Sequence, residues 1–444
     1  MKKTVYDERP YIEDSSSGIT SKILSANSLP TDGDLSRRHI IDLLATLGSG
    51  LCLSSMLAGC GSENDPLASS QSSSDSFANE LDEPVRVGYL PIIDSVPLIL
   101  AHALGYFEEE GMKTVKPTLI RGWSPLVESF IAKKVNLCHL LIPIPFWMRY
   151  NNNFKVKVMS WAHTNGSAIV VGKHTGAKDF KDLGGKQIAI PYYYSMHNIV
   201  LQMGLREAGL KAVIRDQSTP LDLDEVNLIV MPPPEMPPAL AAKKIDAFIV
   251  AEPFNAMGEL KAGGQIMRFT GDIWKNHPCC VVCMHEERTK EKIEWTQKAV
   301  NAVTRASIYA SKNKREVAEL LSRDGKGYLP MPASVVVRAM THYDVEDYLA
   351  TGANRNASEW KNGRIDFQPW PYPSATKFMV NAMEKTVVGG DKSFIDGLTA
   401  EKVAEDMVDY EYIKKSCEKY PEWKEDPSVS DSVNPYERNE IVRL

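Results

Sequence analysis

Cysteine is scarce, positive charge is not in excess, and long apolar runs are missing beyond the first sixty residues. The 444 residues hold only 7 Cys, too few for a disulfide scaffold. Lys and Arg total 51 against 57 Asp and Glu, which leaves no electrostatic footprint for nucleic acid. No later segment reaches the roughly eighteen apolar residues of a membrane-spanning helix. A serine nucleophile elbow, a Walker loop and a dinucleotide fingerprint are all absent, and Gly184-Gly185 lacks the spacing for any of them. These absences point away from an enzyme. No internal repeat of twenty to fifty residues stands out. What remains is a globular composition, 43% hydrophobic and 24% charged, in a chain long enough for two or three domains.

The amino terminus carries a different pattern. Polar, Ser- and Asp-rich residues lead to Ser36-Arg37-Arg38, then to a mostly apolar run over 40–57 interrupted by Asp42, then to Leu57-Ala58-Gly59-Cys60. A basic step, an apolar stretch and small residues before a cleavage point are the anatomy of a secretory signal. The paired arginines resemble a twin-arginine signal, with the general secretory route as the alternative. Leu-Ala-Gly-Cys resembles a bacterial lipobox, which makes Cys60 the expected site of lipidation. Residues 1–59 are then the signal, and 60–84, rich in Ser, Asp and Asn, form a flexible tether.

From residue 85 strand and helix patterns alternate. Strands are expected at 86–90, 113–120 and 137–142, with helices over 96–110 and 124–134 between them. This βαβαβ order predicts a parallel α/β sheet. A second round begins after Phe154, with strands at 155–162, 168–172, 187–191, 226–231 and 246–251 and helices at 195–208 and 237–243. Helical patterns then cover 290–312, 314–321, 332–340 and 374–388, and the chain closes with a charged tail. Two α/β lobes in succession suggest a hinged protein that closes a cleft over a small ligand at the carboxyl ends of the strands.

The stretch Val-Gly-Tyr-Leu-Pro-Ile-Ile-Asp-Ser-Val-Pro-Leu-Ile-Leu-Ala-His-Ala-Leu-Gly-Tyr-Phe-Glu-Glu-Glu-Gly-Met over 87–112 resembles the opening of the nitrate-, bicarbonate-, sulfonate- and taurine-binding proteins of ABC importers. Ala-Glu-Pro-Phe-Asn at 251–255 and Thr-Gly-Asp-Ile-Trp-Lys-Asn-His-Pro at 270–278 resemble the nitrate/bicarbonate branch. The resemblance implies a two-lobed, type II periplasmic-binding-protein-like α/β fold with a C-terminal helical extension. Lobe 1 would span 85–165, lobe 2 166–272, and 273–444 would return to lobe 1 and add the helical region. It also implies a permease and an ATPase as partners and no cofactor, and with the lipobox at Cys60 the expectation is a lipid-anchored protein at the periplasmic face of the membrane. The ligand would be a small anion, nitrate by preference. An aliphatic sulfonate or taurine is the first alternative, and an enzyme of the pyrimidine-precursor-synthase type or a ligand sensor the others.

In nitrate binders the anion is held by a Trp, a Gln, a His and a Lys. The resemblance carries these roles onto Trp123, Ser167, His197 and Lys275, Ser167 standing where that branch has the Gln. Bicarbonate binders have a calcium-holding carboxylate at the position of Lys275, so a lysine argues against a metal-assisted site. The chemistry is coherent, because a dehydrated oxyanion needs charge and directed donors in place of water. Lys275 would supply charge, His197 lies at a helix start that favours anions, Trp123 offers an indole N–H, and Asn165 and Ser167 add neutral donors. The charge of Glu252 would repel an anion, so this residue is expected behind the ligand or at the hinge. Cys279-Cys280-Val-Val-Cys283, with His277 and His285 nearby, lies in an apolar run that reads as a strand. Its cysteines are expected to be small buried hydrophobes and no metal is expected.

Overall fold

The computed structural model describes residues 79–356 and 363–444, all within one compact unit, Asp65–Leu444. The signal, Cys60 and the tether up to residue 78 lie outside the described residues. The five-stranded sheet runs in the order β2 (Thr118–Leu119), β1 (Val87–Tyr89), β3 (Leu137–Leu141), β12 (Cys280–His285), β4 (Val156–Trp161). The six-stranded sheet runs β11 (Gly264–Phe269), β6 (Ser167–Gly172), β10 (Ala247–Ala251), β7 (Lys186–Ile190), β9 (Glu225–Val230), β8 (Lys211–Val213). A two-stranded ribbon pairs β5 (Thr164–Asn165) with β13 (Ile365–Asp366).

Parallel pairing holds where a helix returns the chain: β1 with β2 and β3, and β7 with β9 and β10. Elsewhere the sheets are mixed, because β12 runs antiparallel to both β3 and β4, and β6 antiparallel to β10 and β11. The chain therefore crosses to the second sheet after β4 and comes back through β12. The inner strands β3, β10 and β12 are buried at every position, as continuous apolar runs covered on both faces should be.

Three expectations change. The helix expected over 96–110 is two, Val96–Ala103 and Tyr106–Glu109, interrupted at Gly105 with φ +76°. The strand expected over 113–120 keeps only Thr118–Leu119 in the ladder. The charged tail is folded: helices Ala400–Met407 and Tyr410–Lys419 bury Val403, Met407 and Ile413, and Trp423 follows at 1% exposure. Trp274 forms a bridge with Val442, and its indole N–H donates to Glu440 Oε2 at 2.6 Å. No described helix is long and apolar enough to cross a membrane.

Candidate functional site

Where the carboxyl ends of β1 and β3 approach the start of β6, the interior turns polar. Trp123 opens the helix Trp123–Ile131 directly after the extended Gly122, which turns its ring inward at 3% exposure. The ring meets His139 of β3 edge-on, with centroids 5.6 Å apart. His139 Nε2 accepts from the Leu90 N–H at 3.0 Å, so its proton sits on Nδ1. Burial pushes this imidazole down to about 3, which keeps it neutral. Neither Trp123 Nε1 nor His139 Nδ1 has a hydrogen-bond partner, although both atoms are buried.

From the second sheet, Ser195 caps the helix Met196–Glu207 through the Asn198 N–H at 3.0 Å and sets His197 in its first turn. His197 Nε2 lies 2.9 Å from Ser167 Oγ and 3.8 Å from Cys279 Sγ, while its Nδ1 is buried without a partner. Ser167 follows a turn in which Asn165 and Gly166 both take the left-handed conformation, φ +57° and +75°. A Cβ at Gly166 would stand 2.6 Å from Ile365 Cδ1, so only glycine fits. Asn165 turns toward Asn276, with Nδ2 3.3 Å from its Oδ1.

The first sheet adds an unexpected group. His163 Nε2 lies 2.8 Å from Asp94 Oδ2, and the Cys280 thiol donates to the same oxygen at 3.1 Å. One ligand atom from each of Asp94, His163, Cys279 and Cys280 lies within 4.8 Å of the others, and all four residues are buried. Burial opposes charge on His163, but Asp94 and Cys279 prevail and hold it up near about 10. Burial also opposes the Cys279 thiolate, yet Cys280, His197 and His163 together hold this thiol well below its ordinary range. The reading of these cysteines as small hydrophobes fits Cys283, which pairs in register with the equally buried Cys138. Cys279 and Cys280 are equally buried but also make polar contacts, to His197 and Asp94. Cys279 precedes β12, so strand alternation does not separate the two neighbours.

Ser167 and His197 thus meet beside Cys279, Trp123 packs on His139, and Asn165 turns to Asn276. Lys275 is not brought among them. Its N–H donates to Ile441 O at 3.0 Å, and it lines a cavity of about 520 Å³ with Ser428, Ser430 and Arg438 of the C-terminal segment. Glu252 joins the two sheets: its carbonyl accepts from the Ile93 N–H at 2.8 Å and its N–H donates to Gly166 O at 2.9 Å. Its carboxylate holds the buried Arg364 at 2.5 Å, and Arg364 reaches on to Glu259 at 2.9 Å. Asp94, His139 and His163 were absent from the expected set. Their signal was a titratable side chain inside an apolar run, as in Leu-Cys-His-Leu-Leu at 137–141.

The model of the NMT1-like family matches residues 78–322. Among curated relatives, the "Nitrate/nitrite binding protein NrtA" of a Nostoc species is 24% identical over 336 residues, covering 68% of this chain and 74% of that one. The "Nitrate import ATP-binding protein NrtC" of a Synechocystis species is 27% identical over 259 residues, 56% of this chain and only 37% of its own length. Among solved structures, the periplasmic nitrate-binding protein NrtA of Synechocystis superposes with a TM-score of 0.64 at 16% identity, covering 80% of this chain and 92% of that one. Likeness at that level establishes a shared periplasmic-binding-protein fold.

Proposed function

The chain belongs to the NMT1-like family, and from that premise we propose that it is the substrate-binding component of an ABC importer, taking a small oxyanion and favouring nitrate. One observation carries the reading: the ring nitrogens Trp123 Nε1, His139 Nδ1 and His197 Nδ1 are all buried without partners. Leaving a buried polar group unpaired costs about 1–3 kcal/mol, and an oxyanion accepting from such groups recovers that cost. The curated relatives named for nitrate support the same ligand class. The donors come from both sheets, so a ligand touching both would favour a closed arrangement of two lobes. Delivery would be to a permease driven by an ATPase, with the protein exported and held at the membrane by a lipid on Cys60.

Calorimetric titration of the full chain with nitrate, nitrite, bicarbonate with calcium, taurine and alkanesulfonates tests the ligand. One nitrate per chain, bound more tightly than the others, is expected. A sulfonate binding where nitrate fails would transfer the site to sulfonates, and no response to any anion would overturn the reading. Release of the chain from the membrane fraction by Cys60→Ala tests the anchor.

A further inference from the structure

We propose that Asp94, His163, Cys279 and Cys280 form a buried site for a thiophilic divalent cation, with zinc the metal that their donors fit best. The inference rests on the placement of four side chains, one of which, Cys279, also lies 3.8 Å from His197. They come from three separate segments of the first sheet: the turn after β1, the residues leaving β4, and the entry to β12. Each is fully buried.

Tetrahedral zinc with bonds of about 2.3 Å to sulfur and about 2.0 Å to nitrogen or oxygen sets its ligands roughly 3.3–3.8 Å apart. Here the closest pairs stand at 2.8 and 3.1 Å, and no ligand atom is more than 4.8 Å from another. Adjustments of about 1 Å or less therefore bring the quartet to that geometry. A carboxylate oxygen, an imidazole nitrogen and two sulfurs suit zinc. Magnesium and calcium prefer all-oxygen shells, and iron–sulfur clusters are usually held by four cysteines. Burying a carboxylate beside two thiols with a single imidazole for company is costly, and a cation bound between them removes much of that cost. Asp94 Oδ1 has no partner of its own, so the carboxylate has a free oxygen with which to tighten on a metal. On binding, the Cys280 thiol proton and the proton between Asp94 and His163 pass to solvent. Cys283 and Cys138, which pair in register between β12 and β3, are not among the four.

The test uses the full chain purified under reductant, with metal content read by elemental analysis and geometry by cobalt substitution. About one zinc per chain surviving gel filtration is expected, and the cobalt form should show a thiolate-to-cobalt charge-transfer band. Cys280→Ser and Asp94→Asn should each weaken zinc binding about tenfold or more, while Cys283→Ser keeps wild-type affinity. Asp94→Asn preserves volume and serves where Cys280→Ser fails to fold. A folded wild-type chain with neither stoichiometric zinc nor the cobalt band overturns the proposal. So does a Cys283→Ser chain that loses metal as badly as Cys280→Ser.

Discussion

Trp123 puts an indole N–H into the interior with nothing to receive it, and natural proteins rarely tolerate that without a reason. Trp123→Phe keeps the ring against His139 and removes the donor. Stability should hold or rise slightly, while anion affinity falls about tenfold, near 1.4 kcal/mol, in a calorimetric titration. Lys275→Ala should change the same affinity by less than about twofold, because this lysine lines the cavity beside the C-terminal segment. The opposite pair of results would move the anion to that cavity. At this scale the sequence was partly legible. Trp123 and His197 follow a strand end and open a helix, positions that local pattern can locate. His139 sits in an otherwise apolar strand, while Asp94 and His163 lie beside Ser95 and Thr164, and their approach to each other and to Cys280 is a long-range contact. Contact of that kind leaves no local trace.

Elements with strong periodicity were legible nearly to their ends. The strand expected at 226–231 is β9, Glu225–Val230, and the helix expected over 195–208 is Met196–Glu207. A C-terminal helical region was expected, but the bounds of its last two helices were not, because their apolar faces are thin: Val403, Ala404 and Met407 in one, and Tyr412, Ile413 and Cys417 in the other, among many charges. The three-residue β8 and the two-residue β5 and β13 are too short to show a period. The turn after β5 nevertheless controls the site, since it delivers both Asn165 and Ser167. Gly166→Ala places a methyl group against Ile365 at a positive φ, where alanine is already strained. Loss of about 1–3 kcal/mol in urea denaturation is expected, together with weaker anion binding as Ser167 shifts. Wild-type stability and affinity in this variant would show that the turn adapts and that Ser167 does not depend on it.

Across the whole molecule, distant parts of the chain are tied by groups whose charge state folding fixes, and acid tests those ties together. Arg149, at the end of the helix Pro143–Tyr150, meets Asp406 of the tail helix at 2.6 Å and Glu286, beyond β12, at 2.7 Å. Arg149 hydrogen bonds hold the Asp406 carboxyl at about 2; burial opposes ionisation of Glu286, but Lys290 and Arg149 outweigh it and hold that group at about 2 as well. Both sit below their ordinary values, so their stabilisation is complete above about pH 4.5 and is lost as pH falls toward 2. His285 behaves in the same direction at higher pH. It stacks on Phe130 with centroids 4.1 Å apart, its ring nitrogen lies 2.7 Å from Phe130 O, and burial pushes it down to about 4. It is neutral when folded and takes up a proton on unfolding once the pH is below about 6.5, at a cost of about 1.4 kcal/mol per pH unit. Unfolding free energy should therefore fall in two stages, between pH 6.5 and 4 and again below 4.5. His285→Gln should make the first stage shallower by this one proton's share, with His139 and His277 still titrating there, and Arg149→Met should make the second shallower, as read by urea denaturation at a series of pH values. A His285→Gln profile parallel to wild type from pH 6.5 to 4 would mean that this imidazole titrates alike in the folded and unfolded chain, and that its burial against Phe130 costs it nothing.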